Sequence, residues 1–383
     1  MEGSMSKVYI IRCPDYGQVS GKMDELMTMM GGVSQFVNAG QRVALKPNLL
    51  LAADPAKAVT THPSVVAAIG KLFTAASADV VLAESPGAGY AYDRKALEKT
   101  YRMCGMEEAA KGAGIELGYD TSYESVSFPE GKLIKRFEII SPIRKADCYV
   151  NVCKLKTHNL MFLSGGVKNL FGLIPGRTKT GYHSTMTTKE LFAELLLDLL
   201  SLVPPRLTIM DAVVGMEGEG PANGNPRQVG LLLASTDPLS LDVVASEIIG
   251  LPEDRNPLLL AAKGRGIHPS SIAEVEIVGM PLNELRIAGY KMPSAYSNST
   301  MLRVIAAVLP LLRPLLTVDP RILKNKCTGC GACKNACPRD AITLRKVASI
   351  DRQKCIRCYC CHEMCRFDAI ELHKGKIYRM LNK

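Results

Sequence analysis

Short apolar runs alternate with longer amphipathic stretches between residues 6 and 299. Runs rich in β-branched residues predict buried strands at 8–12, 43–46, 78–83, 115–119, 149–154, 207–211, 230–234 and 274–278. Helical periodicity predicts helices at 23–37, from Pro63 onwards, at 93–104 and at 239–249. Residues 128–140, which include Gly131, predict a hairpin. The pattern as a whole predicts an α/β fold with a mainly parallel sheet flanked by helices.

The segment 301–318 separates this pattern from a tail of different composition. The segment is rich in Leu, but two Arg and two Pro interrupt it, and a membrane-spanning helix needs about 20 apolar residues with few charges. We therefore expect an α/β domain at 6–299, a linker helix at 300–319 and a smaller domain at 320–383. An interfacial membrane helix is the alternative for the linker. The chain does not open like a secretory signal peptide, which favours a cytoplasmic protein.

The tail is an internal repeat built around cysteine. Nine of the 13 cysteines lie between Cys327 and Cys365. Four of them follow the spacing C-x2-C-x2-C-x3-C, and the same spacing returns 28 residues later. The flanks repeat as well, since Asp340-Ala341-Ile342 matches Asp368-Ala369-Ile370. Two copies of one small unit predict a pseudo-symmetric α+β domain of the two-cluster ferredoxin-like type.

Each iron of a 4Fe–4S cluster takes one thiolate, and in this spacing the fourth Cys of each run serves the other cluster. The predicted ligands of the first cluster are Cys327, Cys330, Cys333 and Cys365. Those of the second cluster are Cys355, Cys358, Cys361 and Cys337. Gly329 and Gly331 allow the backbone to turn closely around the first cluster. Cys360 falls outside the spacing, so we expect it to be a bystander.

Two other roles for the clustered cysteines fit less well. Zinc is bound by tetrahedral sets of four ligands, and the doubled spacing is not typical of such sets. A disulfide framework is typical of secreted proteins, and nothing in the sequence marks this one as secreted. The four scattered cysteines, Cys13, Cys104, Cys148 and Cys153, are expected to be buried thiols.

The tail also carries the whole charge imbalance of the chain. From Pro320 onwards there are 15 Lys and Arg against five Asp and Glu, a net charge of +10, which is also the net charge of the complete chain. A basic redox domain suits an acidic partner such as a ferredoxin or flavodoxin, because opposite potentials steer the encounter. Nucleic acid is the alternative partner, but the tail has few aromatic residues on which bases could stack.

Polar groups follow five of the predicted strands, at the place where ligands bind in sheets of this kind. These groups are Lys46-Pro47-Asn48, Glu84-Ser85-Pro86-Gly87, Lys154 with Lys156-Thr157-His158, Asp211, and Ser235-Thr236-Asp237. One such group would be an ordinary solvated loop. Five of them predict a single crevice at the carboxyl edge of the sheet.

Two long loops are expected to border this crevice. The first begins with the glycine-rich run 165–169 and leads to three cationic or titratable residues, Arg177, Lys179 and His183. They could bind phosphate or carboxylate, and a flexible basic surface loop is the alternative. The second loop, 215–226, holds Glu217, which with Asp211 could bind a divalent cation or supply an acid or base. A solvated acidic turn is the alternative there.

The candidate catalytic residues are Lys46, His62, Lys156, His158, Lys168, His183 and Asp211. The lysines would bind an anionic substrate, because buried like charges are costly unless they are paired. The histidines are the candidate proton donors, since His titrates near neutrality. Asp211 would balance part of the positive charge.

Several of these residues belong to a series of short motifs. The motifs are Lys46-Pro47-Asn48, Thr61-His62-Pro63, Lys154-Leu155-Lys156-Thr157-His158, Gly166-Val167-Lys168-Asn169 and Asp211. In this order, and together with the tail, they resemble the family called domain of unknown function 362, whose members often carry a C-terminal two-cluster ferredoxin module. The resemblance implies a cytoplasmic protein of bacteria or archaea, mostly anaerobic ones. It implies no particular reaction.

Three functions fit the sequence. We favour an oxidoreductase in which the tail passes electrons to an anionic substrate or cofactor in the α/β crevice, because a polar crevice has no evident use otherwise. The alternative is a non-catalytic electron-transfer adaptor whose α/β domain docks a partner redox protein. Nucleic-acid binding through the basic tail is the third.

Overall fold

A computed structural model describes residues 5–87, 90–186, 188–297, 318–337, 339–357 and 359–374. Its strands are β1 (Ser6–Arg12), β2 (Arg42–Pro47), β3 (Asp79–Leu82), β4 (Glu116–Leu117), β5 (Tyr123–Ser127), β6 (Arg136–Ile140), β7 (Cys148–His158), β8 (Phe162–Leu163), β9 (Leu207–Glu217), β10 (Asn225–Ser235), β11 (Val275–Gly279), β12 (Val318–Ile322), β13 (Ile342–Leu344), β14 (Ala348–Ile350) and β15 (Ile370–Lys374). Its α-helices are α1 (Val19–Met29), α2 (Pro63–Ala75), α3 (Arg94–Met103), α4 (Met106–Ala113), α5 (Ser141–Arg144), α6 (Gly166–Asn169), α7 (Gly176–Thr185), α8 (Lys189–Leu202), α9 (Pro238–Ile249), α10 (Pro257–Arg265), α11 (Ala332–Asn335) and α12 (Cys360–Glu363).

The main sheet has the strand order β11-β1-β10-β9-β7-β2-β3-β4, with β8 paired to β7. Strands β4, β3, β2, β7 and β9 run parallel, whereas β10 is antiparallel to both β9 and β1. Its central strands are buried on both faces, as expected for a parallel sheet covered by helices. One apolar cluster packs α8, α9 and α10 on one face, and a second packs α1 to α4 on the other. The predicted α/β fold is confirmed.

Local signals explain where several helices begin and end. Helix α2 begins at Pro63, with the side chain of His62 accepting a hydrogen bond from the Ser64 N–H. The helix predicted at 23–37 ends early, at Met29, because Gly31 and Gly32 adopt φ of 91° and 93°, a conformation that a helix cannot continue. The hairpin predicted at 128–140 is formed by β5 and β6, slightly earlier in the chain.

One of the five polar groups lies at the wrong edge of the sheet for the predicted crevice. Because β10 is antiparallel to β9, Ser235 pairs with Thr208 at the beginning of β9. Asp237 is the N-cap of α9, where its carboxylate accepts hydrogen bonds from the N–H groups of Leu239 and Ser240. The prediction that Ser235-Thr236-Asp237 belongs to the carboxyl-edge crevice is therefore wrong.

The tail forms a small α+β module in which the 28-residue repeat is visible in the backbone. Strands β12 and β15 pair, as do β13 and β14, and the short helices α11 and α12 occupy equivalent positions. Positive φ angles recur in pairs 28 residues apart, at Gly329 and Arg357, Gly331 and Tyr359, and Asp340 and Asp368. The ferredoxin-like architecture is confirmed.

Most of the predicted linker, 300–317, lies outside the described residues. Among the residues that are described, no helix combines the length and apolar character needed to cross a membrane. The domain boundaries at 299 and 320 stay predictions.

Candidate functional site

Three lysines at the carboxyl ends of β2 and β7 are buried. Lys46, Lys154 and Lys156 are each at most 1% exposed. Lys46 donates to a carboxylate oxygen of Glu84 at 2.7 Å and to the carbonyl of Pro47 at 3.0 Å. Burial lowers the pKa of Lys46, and the Glu84 carboxylate opposes this shift. A buried pair of this kind is strongly destabilised when one partner is removed.

The second buried pair is Lys154 with Asp211. Lys154 Nζ lies 2.8 Å from Asp211 Oδ2 and 2.9 Å from the hydroxyl of Tyr16, which itself donates to Asp211. Asp211 also accepts the backbone N–H of His62 at 2.9 Å. The His62 ring stacks on the Tyr16 ring, with centroids 3.5 Å apart. Asp211 is thus the counterion of Lys154.

A chain of asparagines positions Lys156. Lys156 Nζ donates to Asn48 Oδ1 at 2.9 Å and to the Val59 carbonyl at 2.7 Å. The Asn48 amide donates to Asn169 Oδ1, and the Asn169 amide donates to Asn151 Oδ1, at 2.9 and 2.7 Å. Residues of three separate sequence motifs are therefore joined in one hydrogen-bonded chain.

The segment carrying Lys179 and His183 is a helix, α7, on which both of these side chains are buried, so the alternative of a flexible basic surface loop is wrong. Lys179 is 2% exposed and donates to the Ser85 carbonyl and hydroxyl at 2.5 and 2.8 Å and to the Pro86 carbonyl at 2.7 Å. Burial lowers its pKa to about 7. Arg177 lies in the same helix.

The aromatic rings around α7 hold His183 and Lys168. The His183 ring stacks on Phe192 with centroids 5.0 Å apart, and its Nδ1 atom is buried without a hydrogen-bond partner among the described residues. Lys168 Nζ lies 4.9 Å above the ring of Phe171 and 5.2 Å above that of Phe192. Lys168 and His183 therefore both contact the ring of Phe192.

All three candidate histidines are neutral at pH 7, which differs from the expected titration near neutrality. Burial lowers the pKa of His62 to about 4 and that of His183 to about 3, and Lys168 adds to the shift at His183. The pKa of His158 is also well below its usual value because of burial and the nearby Lys168. His158 Nδ1 accepts the N–H of Leu160 at 3.1 Å, as neutral imidazole can.

The structure gives no support for a divalent cation at Asp211 and Glu217. The oxygens of Asp211 accept hydrogen bonds from Tyr16, His62 and Lys154, whereas Glu217 accepts the N–H of Lys291 at 3.1 Å. In the described part of the chain, no three His, Cys, Asp or Glu side chains are grouped so that they could hold a metal ion. The loop around Glu217 is the end of β9 and the turn into β10.

The cysteines of the tail line two cavities. The first, of about 340 Å³ including its opening to solvent, is lined by Cys327, Cys330, Cys333 and Cys365. The second, of about 330 Å³, is lined by Cys337, Cys355 and Cys361. Cys358 lies outside the described residues. Each cavity combines cysteines from both halves of the repeat, in the sets that the spacing predicts, and this donor set is chemically suited to a 4Fe–4S cluster.

Backbone N–H groups donate to three of the sulfurs, including that of Cys327, which accepts the Ala348 N–H at 3.5 Å. The Ala341 N–H donates to Cys337 Sγ and the Ala369 N–H donates to Cys365 Sγ, both at 3.2 Å and 28 residues apart. Such hydrogen bonds stabilise thiolates and tune the potential of a bound cluster. Cys360 is fully buried against Ala336 and Met364, and it does not line either cavity.

The module is docked on the carboxyl edge of the main sheet. The Asn223 amide, in the turn between β9 and β10, donates to the His362 carbonyl at 3.0 Å, and His362 Nε2 lies 3.3 Å from the Glu219 carbonyl. Tyr90, in the loop after β3, packs against α12. The cysteine module and the buried lysines therefore share the same edge.

Sequence reasoning missed two members of this region. Tyr16 follows the end of β1, which runs in the same direction as β9, so the rule that ligands bind after strands would have included it. Asn151 lies within β7, and no sequence pattern distinguishes it from an ordinary strand residue.

The fold and the site together define an α/β protein with a C-terminal iron–sulfur module. The family model described as "Domain of unknown function (DUF362)" matches residues 43–247, and that of the "4Fe-4S binding domain" matches residues 320–343. The chain belongs to the DUF362 family, and its tail is a 4Fe–4S-binding domain.

The known proteins similar to this chain include one relative by sequence and one by structure. "Thylakoid-associated protein sll1697" of Synechocystis sp. is 32% identical over 293 residues, which cover 76% of this chain and 88% of the relative. The lactate racemase apoprotein of Thermoanaerobacterium thermosaccharolyticum has a TM-score of 0.42 and 12% identity, over 64% of this chain. The chain spans 57% of the length of that racemase.

Proposed function

We propose that this protein is an iron–sulfur oxidoreductase, in which two 4Fe–4S clusters in the tail exchange electrons with an anionic small molecule or cofactor held at the carboxyl edge of the sheet. One observation carries the proposal. The buried lysines and the cysteine module meet at the same edge of one sheet, which the adaptor alternative does not require.

The charges at the edge favour an anionic ligand. Glu84 and Asp211 are ion-paired with Lys46 and Lys154. The hydrogen bonds of Lys179 go to neutral oxygens of Ser85 and Pro86, and burial lowers its pKa although the nearby Glu84 opposes the shift. Buried cations are costly without a counterion, so a carboxylate or phosphate bound here would stabilise the site.

The residues of the edge divide into two groups by what they can do. Lys156, Lys168 and the neutral His183 are suited to bind and orient an anion. Tyr16 and Lys154, which are hydrogen-bonded to each other, are suited to hold a proton next to the ligand. The bound clusters supply single electrons, and reduction of an organic group usually needs protons as well.

The exposed surface of the module suits an acidic redox partner of the ferredoxin or flavodoxin type. Its exposed cations include Lys324, Lys326, Lys334, Arg339, Lys346, Arg352, Lys354 and Arg366. Opposite charge speeds the encounter of redox proteins. We place the protein in an oxygen-poor cytoplasm, in keeping with the family resemblance.

Anaerobic purification tests the proposal. The protein should contain about eight irons and eight labile sulfides, as two such clusters require. Phosphate or a small dicarboxylate should raise its thermal midpoint, and the rise should be lost in Lys156→Met but kept in Lys71→Met, a lysine on the exposed side of α2. Four irons, or no response to any anion, would contradict the proposal.

A further inference from the structure

Helix α6, which carries Lys168, is held at its first turn by a carboxylate from another helix. Asp242 lies in α9, is 1% exposed, and accepts the N–H groups of Gly166 and Val167 at 2.5 and 2.9 Å. A methyl group on Gly165 would overlap this carboxylate, so the close approach requires glycine there. Two N–H groups of the glycine-rich run are therefore bound by an anion that belongs to the chain itself.

The same turn is joined to Lys156 through side-chain amides. The Asn151 amide, in β7, donates to the Gly166 carbonyl at 2.9 Å, and Asn151 Oδ1 accepts from the Asn169 amide at 2.7 Å. Asn169 Oδ1 accepts from the Asn48 amide, and Asn48 Oδ1 accepts from Lys156 Nζ. A continuous path of hydrogen bonds thus runs from α9, through α6, to the Lys156 ammonium.

Helix α6 depends on contacts of this kind for its shape. It has four residues, Gly166–Asn169, and a helix this short makes too few hydrogen bonds of its own to be stable. A buried N–H group that loses its acceptor is costly, and a charged acceptor contributes more than a neutral one. The carboxylate of Asp242 is therefore well suited to fix the position of α6.

We propose that Asp242 is a positioning residue of the anion site. By holding α6 it fixes Lys168 directly, and it fixes Lys156 through the three asparagines. The inference rests on the proposed function for the anion that these two lysines bind. Asp242 acts through the lysines, because its two oxygens are bound to the N–H groups of Gly166 and Val167.

Asp242→Asn tests this role, because the amide nitrogen of Asn cannot accept an N–H group. Phosphate binding to the anaerobically purified protein is measured by isothermal titration calorimetry. The measurement is made above the pH at which Asp242 titrates, since burial raises its pKa to about 7. We expect phosphate affinity to be about five- to tenfold weaker, as the loss of one hydrogen bond with a buried partner gives.

Asp198→Asn is the matched control. Asp198 is a buried carboxylate in α8 that accepts the N–H groups of Lys132, Leu133 and Ile134, in a different loop. Its substitution should lower the thermal midpoint and leave phosphate affinity unchanged. If Asp242→Asn does not fold, Asn169→Ala breaks the path closer to Lys156 and should weaken phosphate binding by a similar factor.

A double-mutant cycle without any anion tests the path itself, with the free energy of unfolding measured by urea titration. Asp242→Asn and Asn48→Ala should destabilise the protein less in combination than the sum of their separate effects, because both act on one network. Asp198→Asn and Asn48→Ala should be additive.

The inference is overturned by unchanged phosphate affinity in Asp242→Asn, or in Asn169→Ala if that variant takes its place. An equal loss of affinity in Asp198→Asn, or additive effects of Asp242→Asn and Asn48→Ala, would also overturn it. If the wild type binds no anion and the cycle still shows coupling, the proposed function fails, whereas the role of Asp242 in positioning Lys156 and Lys168 stands.

Discussion

Lys154 Nζ lies 2.8 Å from Asp211 Oδ2, and both side chains are inaccessible to solvent. The Tyr16 hydroxyl bonds to both groups, so three residues from distant parts of the sequence form one closed polar unit. Removing one partner of such a pair leaves the other charge buried and unpaired, which is strongly destabilising.

Asp211→Asn should destabilise the protein by about 3–5 kcal/mol, because it leaves the Lys154 charge buried and unpaired. The free energy of unfolding is measured by urea titration under anaerobic conditions. Glu98→Gln is the control, since Glu98 pairs with Arg94 on the surface of α3 and such pairs contribute about 1 kcal/mol or less. Equal losses in the two variants would show that the buried pair is not as described.

Gly172→Ala should damage the Lys46–Glu84 pair. A methyl group at position 172 would lie 2.1 Å from Glu84 Oε1 and 2.5 Å from Lys46 Nζ. We expect a loss of about 1–3 kcal/mol of stability from this overpacking and weaker anion binding, measured by thermal shift with phosphate. Gly112→Ala, in α4 with open space around it, should be neutral or stabilising by about 0.5–1 kcal/mol. Unchanged anion binding in Gly172→Ala would contradict a role for this pair.

Acidification should destabilise the α/β domain partly through His62 and His183. Burial holds their folded-state pKa values at about 4 and 3, below the ordinary value of 6.5. Between the ordinary pKa of 6.5 and the folded-state values, the unfolded chain binds protons that the folded chain does not. The free energy of unfolding therefore decreases as the pH falls from 6.5 towards 3. His183→Phe, which can keep the stacking on Phe192, should flatten this pH dependence in urea titrations followed by circular dichroism. His268→Asn, a substitution of an exposed histidine, is the control. If the free energy of unfolding depends on pH as steeply in His183→Phe as in the wild type, the buried, neutral state of His183 is contradicted.

The cysteine assignment predicts opposite outcomes for neighbouring positions. Cys330→Ala should lose the signal of one cluster, or collapse the module, because Cys330 lines the first cavity. Cys360→Ala should keep the full iron content, because Cys360 lines neither cavity. Iron and labile sulfide are assayed on anaerobic protein. A loss of iron in Cys360→Ala would show that the ligands are misassigned.

Much of this architecture could be predicted from local sequence signals. Pro63 at a first helical turn and the β-branched runs placed α2 and the central strands, because backbone restrictions and burial act on a few neighbouring residues. The grouping of Cys327, Cys330 and Cys333 with Cys365 could be predicted because the repeat is visible in the spacing of the cysteines along the sequence. These features depend little on distant parts of the chain.

The remaining features depend on tertiary contacts that spacing does not encode. The direction of β10 is set by the long hairpin with β9, and this placed Ser235 at the opposite edge from the one expected. The sequence left open whether Lys179 and His183 border the crevice or lie on a flexible surface loop, and only the oxygens of Ser85 and Pro86 and the ring of Phe192 explain their burial. Tyr16 joins the site through Lys154, 138 residues away in the chain.

Stopped-flow reoxidation of the dithionite-reduced protein by a panel of carboxylate- and phosphate-bearing electron acceptors, flavin mononucleotide among them, tests the central claim most directly. The account predicts saturable reoxidation of the clusters by at least one acceptor. Competition by inorganic phosphate and at least a tenfold weaker apparent affinity in Lys156→Met, about 1.4 kcal/mol, should accompany it at unchanged iron content. Reoxidation that is equally fast and unsaturable in wild type and Lys156→Met, for every acceptor, would contradict it.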